Sequence, residues 1–220
     1  MTAVREQAPR GPDASTVNAP SVAPYAARLS VDFPDKLDRL TTLLRLVWVL
    51  PIVVLLSIVG AGADGARTGG ALVGGLWIAT MLMLAVRTVY PRWWFDFARE
   101  LARFGGRVWA YVALMTDRYP STTDEQSVHL EIDYPEVARD LNRWLPLVKW
   151  LLAIPHYLVL IPLSVGAAIA IVIAWFAILL TGRYPRALFD YVVGVGRWGL
   201  RVEAYAFLLV TDRYPPFSLK

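Results

Sequence analysis

Long apolar runs alternate with short basic and aromatic segments along most of the chain. The first run covers residues 43–60 and the second residues 71–88, with a glycine-rich segment between them. A helix of roughly 20 residues, with a range of about 17–25, crosses the hydrocarbon core of a bilayer. Each run therefore predicts a transmembrane helix, and the two together predict a helical hairpin.

A third apolar run extends from Leu145 to Leu180, and Lys149 and His156 are its only ionisable residues. At 1.5 Å per residue it would form about 54 Å of helix, whereas one crossing needs roughly 30 Å. The sequence IPLSVG near its middle contains proline and glycine, which favour a turn. The run therefore predicts a second hairpin, with spans at 145–162 and 164–181.

Three motifs occur twice in the same order. They are LSVDFP (29–34) and LEIDYP (130–135), YPRWWFDF (90–97) and YPRALFDY (184–191), and TDRYP at 116–120 and 211–215. This pattern predicts two related units, at residues 28–121 and 122–217. Because each unit would cross the membrane an even number of times, the two would be parallel repeats.

Residues 1–27 are rich in proline, alanine and serine and have no apolar periodicity, so they predict a disordered tail. Of the 22 lysines and arginines in the whole chain, only Arg67 lies in a connection expected outside the membrane. Positive charge accumulates on the cytoplasmic side, so both termini should be cytoplasmic. This bias explains the net charge of +4 without a nucleic-acid partner.

A third helix is predicted in each unit, at 92–115 and 186–210. Charged residues fall on one face of both helices, namely Asp96, Arg103 and Arg107 in the first and Asp190, Arg197 and Arg201 in the second. An arginine at the centre of a span costs about 2.5–3.5 kcal/mol, so a cytoplasmic interfacial amphipathic helix is favoured. The alternative is a third span in each unit, which would give six spans in inverted halves.

These charged stripes allow two interpretations. The Asp and Arg side chains could form ion pairs that hold each helix to its own hairpin or to its counterpart. Alternatively, the arginines could bind lipid phosphates or a membrane partner, since a planar guanidinium suits phosphate. The TDRYP motifs are interpreted mainly as turns, in which Asp117 and Asp212 would make local hydrogen bonds.

His156 is an ionisable residue within a predicted span, which makes it a candidate intramembrane polar site. It could be hydrogen-bonded inside the helix bundle, or it could carry a proton or bind a ligand. The segments LSVDF and HLEIDY alternate apolar and polar residues, which predicts two short strands that could pair. The predicted fold is thus an all-α integral membrane protein with short extended segments before each hairpin.

The paired VDFP and IDYP segments, the IPHYLVLIPL run, YPR followed by FD, and the two TDRYP motifs resemble the family called domain of unknown function 4389. The resemblance covers residues 29–217. It implies a bacterial membrane protein with no established reaction, which would lie in the cytoplasmic membrane. No catalytic residue follows from it.

The motifs of common enzyme sites are missing from the sequence, which has no HExxH, GxSxG or phosphate-binding loop. The chain also has no cysteine, so thiolate metal sites are excluded, and no cofactor is expected. The preferred hypothesis is a non-catalytic accessory or scaffold subunit that binds membrane lipids, a membrane protein or another copy of itself. The alternative is a component of a small-solute or lipid transporter or channel.

Overall fold

A computed structural model describes residues 25–45, 48, 50–51, 71–121 and 126–220 of the chain. Nearly all of the tail predicted at 1–27 lies outside these residues, as does most of the span predicted at 43–60. The described residues form a mostly helical fold with one small sheet. The elements in chain order are β1 (Ala27–Val31), α1 (residues 39–45), α2 (Ala71–Leu82), α3 (Arg92–Val112), β2 (Val128–Ile132), α4 (Val137–Asp140), α5 (Pro146–Leu152), α6 (Ile154–Thr181) and α7 (Arg186–Ala206).

Most of the segment predicted as a span at 71–88 is helical. It consists of α2 and a π-helical turn, Met83–Arg87, and it ends at Thr88, which has a left-handed backbone with φ of 51°. Over the residues whose side chains are described, Gly75–Arg87, this apolar helix is shorter than a crossing requires. The helix is therefore confirmed, and its crossing of the membrane stays a prediction.

The second hairpin, predicted with spans at 145–162 and 164–181, is wrong. Pro162 and Gly166 both lie inside α6, a continuous helix of 28 residues. A proline inside a helix removes one main-chain hydrogen bond. Nearby, the Tyr191 hydroxyl donates to the carbonyl of Leu163 at 3.0 Å. This side chain of α7 therefore binds α6 where the turn was expected.

The break in the apolar run comes earlier, at Ala153 between α5 and α6. Pro155 lies in the first turn of α6, where its missing N–H group needs no partner. From there α6 is about 42 Å long at 1.5 Å per residue. Within the described part of the chain, it is the one helix long and apolar enough to cross a membrane.

The two predicted strands exist and pair with each other, as the sequence indicated. They are antiparallel, and Leu29 lies opposite Leu130 at the centre of the pairing. Both leucines are buried. At one end Arg28 of β1 forms ion pairs with Glu131 at 3.1 Å and Asp133 at 2.8 Å, which tie the strands together on their exposed side.

The helices predicted at 92–115 and 186–210 correspond to α3 and α7, which end a few residues earlier. Each has 21 residues and follows a proline, Pro91 or Pro185. The sheet packs on both helices, with β1 on α7 and β2 on α3. More than half of α7 is buried, between β1, α5 and α6, so α7 is a core helix of the fold.

Candidate functional site

Arg103 and Arg197, which the sequence placed in the charged stripes, bind the main chain of the two strands. Arg103 Nε donates to the carbonyl of Leu130 at 3.0 Å. Arg197 Nε donates to the carbonyl of Leu29 at 2.9 Å. Each guanidinium therefore fastens a strand to a long helix, and the two leucines involved are the pair at the centre of the sheet.

Arg107 and Arg201 bind the chain that follows their own helices. Arg107 Nη1 donates to the carbonyl of Ser121, and Arg201 Nη2 donates to the carbonyls of Ser218 and Lys220 at 2.6 and 2.9 Å. Arg201 is buried, and this burial lowers its pKa. Both arginines thus fold the segments after TDRYP back onto α3 and α7.

Asp96 and Asp190 do not pair with the arginines of the stripes. Asp96 forms an ion pair with Arg99 at 3.1 Å, and Asp190 forms one with Arg186 at 3.2 Å. Both aspartates are more than half exposed. The six stripe residues therefore do not converge on one site, and contact between them and a lipid or partner stays a prediction.

A buried cation lies beside the first TDRYP motif. Arg45 of α1 is 3% exposed, and its Nη2 atom is 2.5 Å from Asp117 Oδ1. Its Nη1 atom donates to the carbonyl of Tyr111 at 3.0 Å, and the guanidinium lies 4.6 Å from the centre of the Tyr111 ring. An ion pair, a main-chain acceptor and an aromatic ring together compensate the charge for its loss of water.

The second TDRYP motif has the same kind of neighbour. Lys149 of α5 is 0% exposed, and its Nζ atom is 2.7 Å from Asp212 Oδ1. Nζ also donates to the carbonyl of Thr211 at 2.7 Å and lies 5.2 Å from the Tyr205 ring. The aspartate thus pairs with an ammonium group here, where the first motif pairs with a guanidinium.

The other oxygen of each aspartate binds a main-chain N–H group near the start of the apolar segment. Asp117 Oδ2 accepts from Asp38 N at 2.7 Å, and Asp212 Oδ2 accepts from Asn142 N at 2.5 Å. The prediction that these aspartates bond locally within a turn is wrong, because distant donors engage both oxygens. Thr116 makes the local contact instead, accepting from the amide of Arg118 at 3.2 Å.

Sequence reasoning did not identify Arg45 and Lys149 as partners of TDRYP. The signal was present, because the first apolar run of each unit carries one basic residue near its start and each unit ends in the same acidic motif. A cation that enters an apolar environment needs a counter-charge. Asp117 and Asp212 were therefore the carboxylates to consider first.

His156 is fully buried near the start of α6. Its Nδ1 atom accepts a hydrogen bond from Trp198 Nε1 at 3.0 Å, and its ring stacks on Phe217 with centroids 4.1 Å apart. The neutral ring therefore carries its hydrogen on Nε2, which has no partner among the described residues. The geometry fits the structural interpretation, in which the histidine joins α6 to α7 and to the C-terminal segment.

A cavity of about 670 Å³ lies between α2, α3, α6 and α7. Apolar and small side chains, such as those of Trp77, Ala167 and Leu200, form most of its lining, and Glu203 is the only carboxylate among the described residues that line it. The Glu203 side chain lines this cavity and is exposed there. The surrounding protein nevertheless removes much of the water around the carboxylate, and this desolvation raises its pKa. Within the part of the chain that the structure describes, the carboxylate has no ion-pair partner, and no group of side chains is arranged to hold a metal ion.

Comparison with known proteins gives one family. Residues 144–218, which include α5, α6, α7 and the second TDRYP motif, match the model described as Domain of unknown function (DUF4389). The predicted family is confirmed over these residues, and the resemblance expected at 29–143 stays a prediction. No characterised protein and no solved structure matches the chain significantly. The matched DUF4389 segment contains Lys149, His156 and Asp212, so the contacts described for these residues lie within it.

Proposed function

We propose that this chain is a non-catalytic integral membrane protein of the bacterial cytoplasmic membrane. It acts as an accessory or scaffold subunit and binds a membrane protein or anionic lipid at its cytoplasmic face. It is built from two related units, and its strands and both termini lie in the cytoplasm. The exposed apolar surface of α6 carries this proposal.

The α6 helix is too apolar and too exposed for the core helix of a soluble protein. Its most apolar window has a mean hydropathy of 2.6, and only 22% of that window is buried. Large apolar side chains lie exposed along its length, including Leu158, Ile161, Val165, Ile169, Phe176 and Leu180. Monomeric soluble proteins rarely expose a continuous apolar surface of this kind, so contact with lipid explains it best.

The proposal of two units is supported by contacts that recur at matching motifs. The Asp of each TDRYP segment pairs with a buried cation and with a main-chain amide. Arg103 and Arg197 each bind the central leucine of one strand. Each arginine binds the strand that belongs to the other unit, so the two units would fold as one body.

One continuous helix in place of the predicted second hairpin changes the number of membrane crossings, and this number decides the side on which the C-terminus lies. A single crossing by α6 would place the C-terminus outside if 43–60 and 71–88 also span. In our proposal α6 lies within the cytoplasmic leaflet, because α7 packs against it from the Tyr191–Leu163 contact to the Trp198–His156 contact. The α7 helix also carries Arg197 and Arg201, and these two charges would be costly at the bilayer centre.

Two measurements test this proposal. Alkaline carbonate washing of membranes should leave the chain in the pellet, and its release into the supernatant would refute membrane integration. Because the chain has no cysteine, single cysteines at Gly65, Ser121 and Ser218 report sidedness with an impermeant thiol reagent in intact cells. We expect labelling at Gly65 only. Labelling at Ser218 as well would mean that α6 crosses the membrane, and labelling at Ser121 would mean that α3 does.

The cavity lined by Glu203 favours a second candidate function, a lipid or small-solute transporter. A lone carboxylate in an apolar cavity of a membrane protein can carry a proton or bind a cationic group. Fluorescent phospholipid in proteoliposomes, quenched from outside by dithionite, tests the lipid version. Protein-dependent exchange between leaflets that Glu203→Gln abolishes would favour transport, and exchange no faster than in protein-free liposomes would favour the accessory role.

A further inference from the structure

Three basic side chains meet in an open recess where α6 ends. The recess has a volume of about 430 Å³, and Lys36, Arg39 and Arg183 line it together with Leu37, Thr181 and Gly182. All three basic residues are exposed. The recess thus brings the chain after β1, the start of α1 and the end of α6 together around a cluster of positive charge.

A main-chain hydrogen bond holds together the backbone on which the cluster is built. The amide of Leu37 donates to the carbonyl of Gly182 at 3.0 Å, so the segment before α1 is fixed to the end of α6. Gly182 has φ of 72°, a conformation that favours glycine and ends the helix. The Arg39 guanidinium lies beside this glycine, since a Cβ placed at Gly182 would be 3.7 Å from Arg39 Nε.

The charge of this cluster is not balanced within the described residues. Neither Lys36, Arg39 nor Arg183 forms an ion pair there, and the nearby Asp35 and Asp38 carboxylates make none with them. Three other arginines differ from them. Arg99, Arg139 and Arg186 each pair with an aspartate or glutamate on the same helix or next to it.

A comparison with Arg143 shows that the N–H groups of Arg39 lack the main-chain contact that a similarly placed arginine makes. Arg143 and Arg39 occupy the same position in the similar sequences LNRW and LDRL. Its Nε atom donates to the carbonyl of Ala85 at 2.5 Å and its Nη2 atom to that of Val86 at 3.4 Å. Arg143 therefore caps the helix that ends at Arg87. Arg39 makes no such hydrogen bond in the described part of the chain, so its N–H groups can bind a ligand.

From this arrangement we infer that the recess binds the phosphate of an anionic phospholipid headgroup. Arginine presents paired N–H donors that match phosphate oxygens, and lysine adds a third positive charge. Leu180 is 77% exposed just before the recess, and Phe176 is exposed one turn further back. Acyl chains can lie along this apolar surface while the headgroup occupies the recess. The inference rests on the proposed membrane location.

Native mass spectrometry of the full chain in mild detergent measures the binding directly. The protein is titrated with phosphatidylglycerol or with zwitterionic phosphatidylcholine, and bound lipid is counted. The test variant carries K36Q, R39Q and R183Q. The control variant carries R99Q, R139Q and R186Q, which removes the same charge from arginines that have acidic partners.

Each basic group beside anionic lipid is worth roughly five-fold in affinity, so the test variant should lose at least about ten-fold for phosphatidylglycerol. The wild-type chain and the control should bind it equally well and prefer it to phosphatidylcholine. An equal loss in both variants, or no loss in the test variant, would overturn the inference. Displacement of the lipid by inorganic phosphate at constant ionic strength would identify a site for free phosphate instead.

The single change Arg183→Gln guards against misfolding of the triple variant. It alters one exposed side chain, so the melting temperature should stay within about 2 °C of wild type while affinity falls by about five-fold. Unchanged affinity would count against the site. Carbonate washing separates the two levels of the argument, because a failed site leaves the chain in the membrane pellet and a failed membrane proposal does not.

Discussion

Replacing Asp212 by asparagine should strongly destabilise the protein. Lys149 is 0% exposed, and its Nζ atom lies 2.7 Å from the Asp212 carboxylate, so the change leaves a buried ammonium group without its counter-ion. Removing one partner of a buried ion pair costs about 3–5 kcal/mol. Since Asp212 is 21% exposed, we expect the lower end of this range, about 3 kcal/mol. Asparagine keeps an oxygen that can accept the amide N–H of Asn142, so the change tests the charge alone.

Tryptophan fluorescence during heating of the detergent-solubilised chain measures this effect. A loss of about 3 kcal/mol should lower the melting temperature by about 6–12 °C for a chain of this size. Asp190→Asn is the matched control, because it breaks the exposed i,i+4 pair with Arg186, which is worth only about 0.3–0.5 kcal/mol.

A second variant shows whether the buried charge is the cause. The double change Lys149→Met and Asp212→Asn should recover most of the loss, because an apolar replacement of a buried ion pair is often neutral or stabilising. The reasoning is refuted if Asp212→Asn has the same melting temperature as Asp190→Asn. It is also refuted if the double variant is less stable than Asp212→Asn alone.

Two further predictions concern α7. A Cβ at Gly196 would lie 2.5 Å from the Trp109 ring, whereas at Gly199 it would meet nothing within 4 Å. Gly196→Ala should therefore cost about 1–3 kcal/mol and Gly199→Ala should gain about 0.5–1 kcal/mol, so melting shifts of the same sign would contradict the packing. Because burial raises the pKa of Glu203, the folded protein holds this proton more tightly, and stability should fall as pH rises above the ordinary glutamate range. Between pH 4 and pH 8, the melting temperature of Glu203→Gln should rise relative to that of wild type as pH increases. A difference in melting temperature that does not change with pH would exclude this effect.

The sequence was sufficient for the elements whose pattern is local. Alternation in LSVDF and HLEIDY predicted β1 and β2, and their similarity predicted that they pair. The repeated YPR motif located the starts of α3 and α7 within a residue or two. In each case neighbouring residues determine the conformation, so distant contacts were not needed to predict it.

The turn expected at residues 161–166 failed because the signal was ambiguous. Proline and glycine interrupt an isolated helix, yet inside a packed protein a neighbouring side chain can occupy the irregular position. Here the ring of Tyr191 lies against Gly166 and its hydroxyl binds the helix main chain. That residue is more than 20 positions away in sequence, and no periodicity within the run could have indicated it.

The candidate sites were predicted less well than the elements. Charged stripes showed which residues share a helix face, but Arg103 and Arg197 bind carbonyl groups, which no residue identity reveals. The recess at Gly182 combines residues from two distant segments. Such a site becomes visible only when the chain connections are known in three dimensions.

The pairing of β1 with β2 sets an order for folding during synthesis. Leu29 meets Leu130 in the sheet, and its carbonyl is bound by Arg197. At about 5–20 residues per second, the ribosome needs roughly 8–34 s to pass from the first of these contacts to the last. For roughly the first 5–20 s of that interval, until Leu130 is made, the hydrogen-bonding edge of β1 has no native partner, so the nascent chain would depend on the membrane or on a chaperone to keep this edge from pairing with other chains.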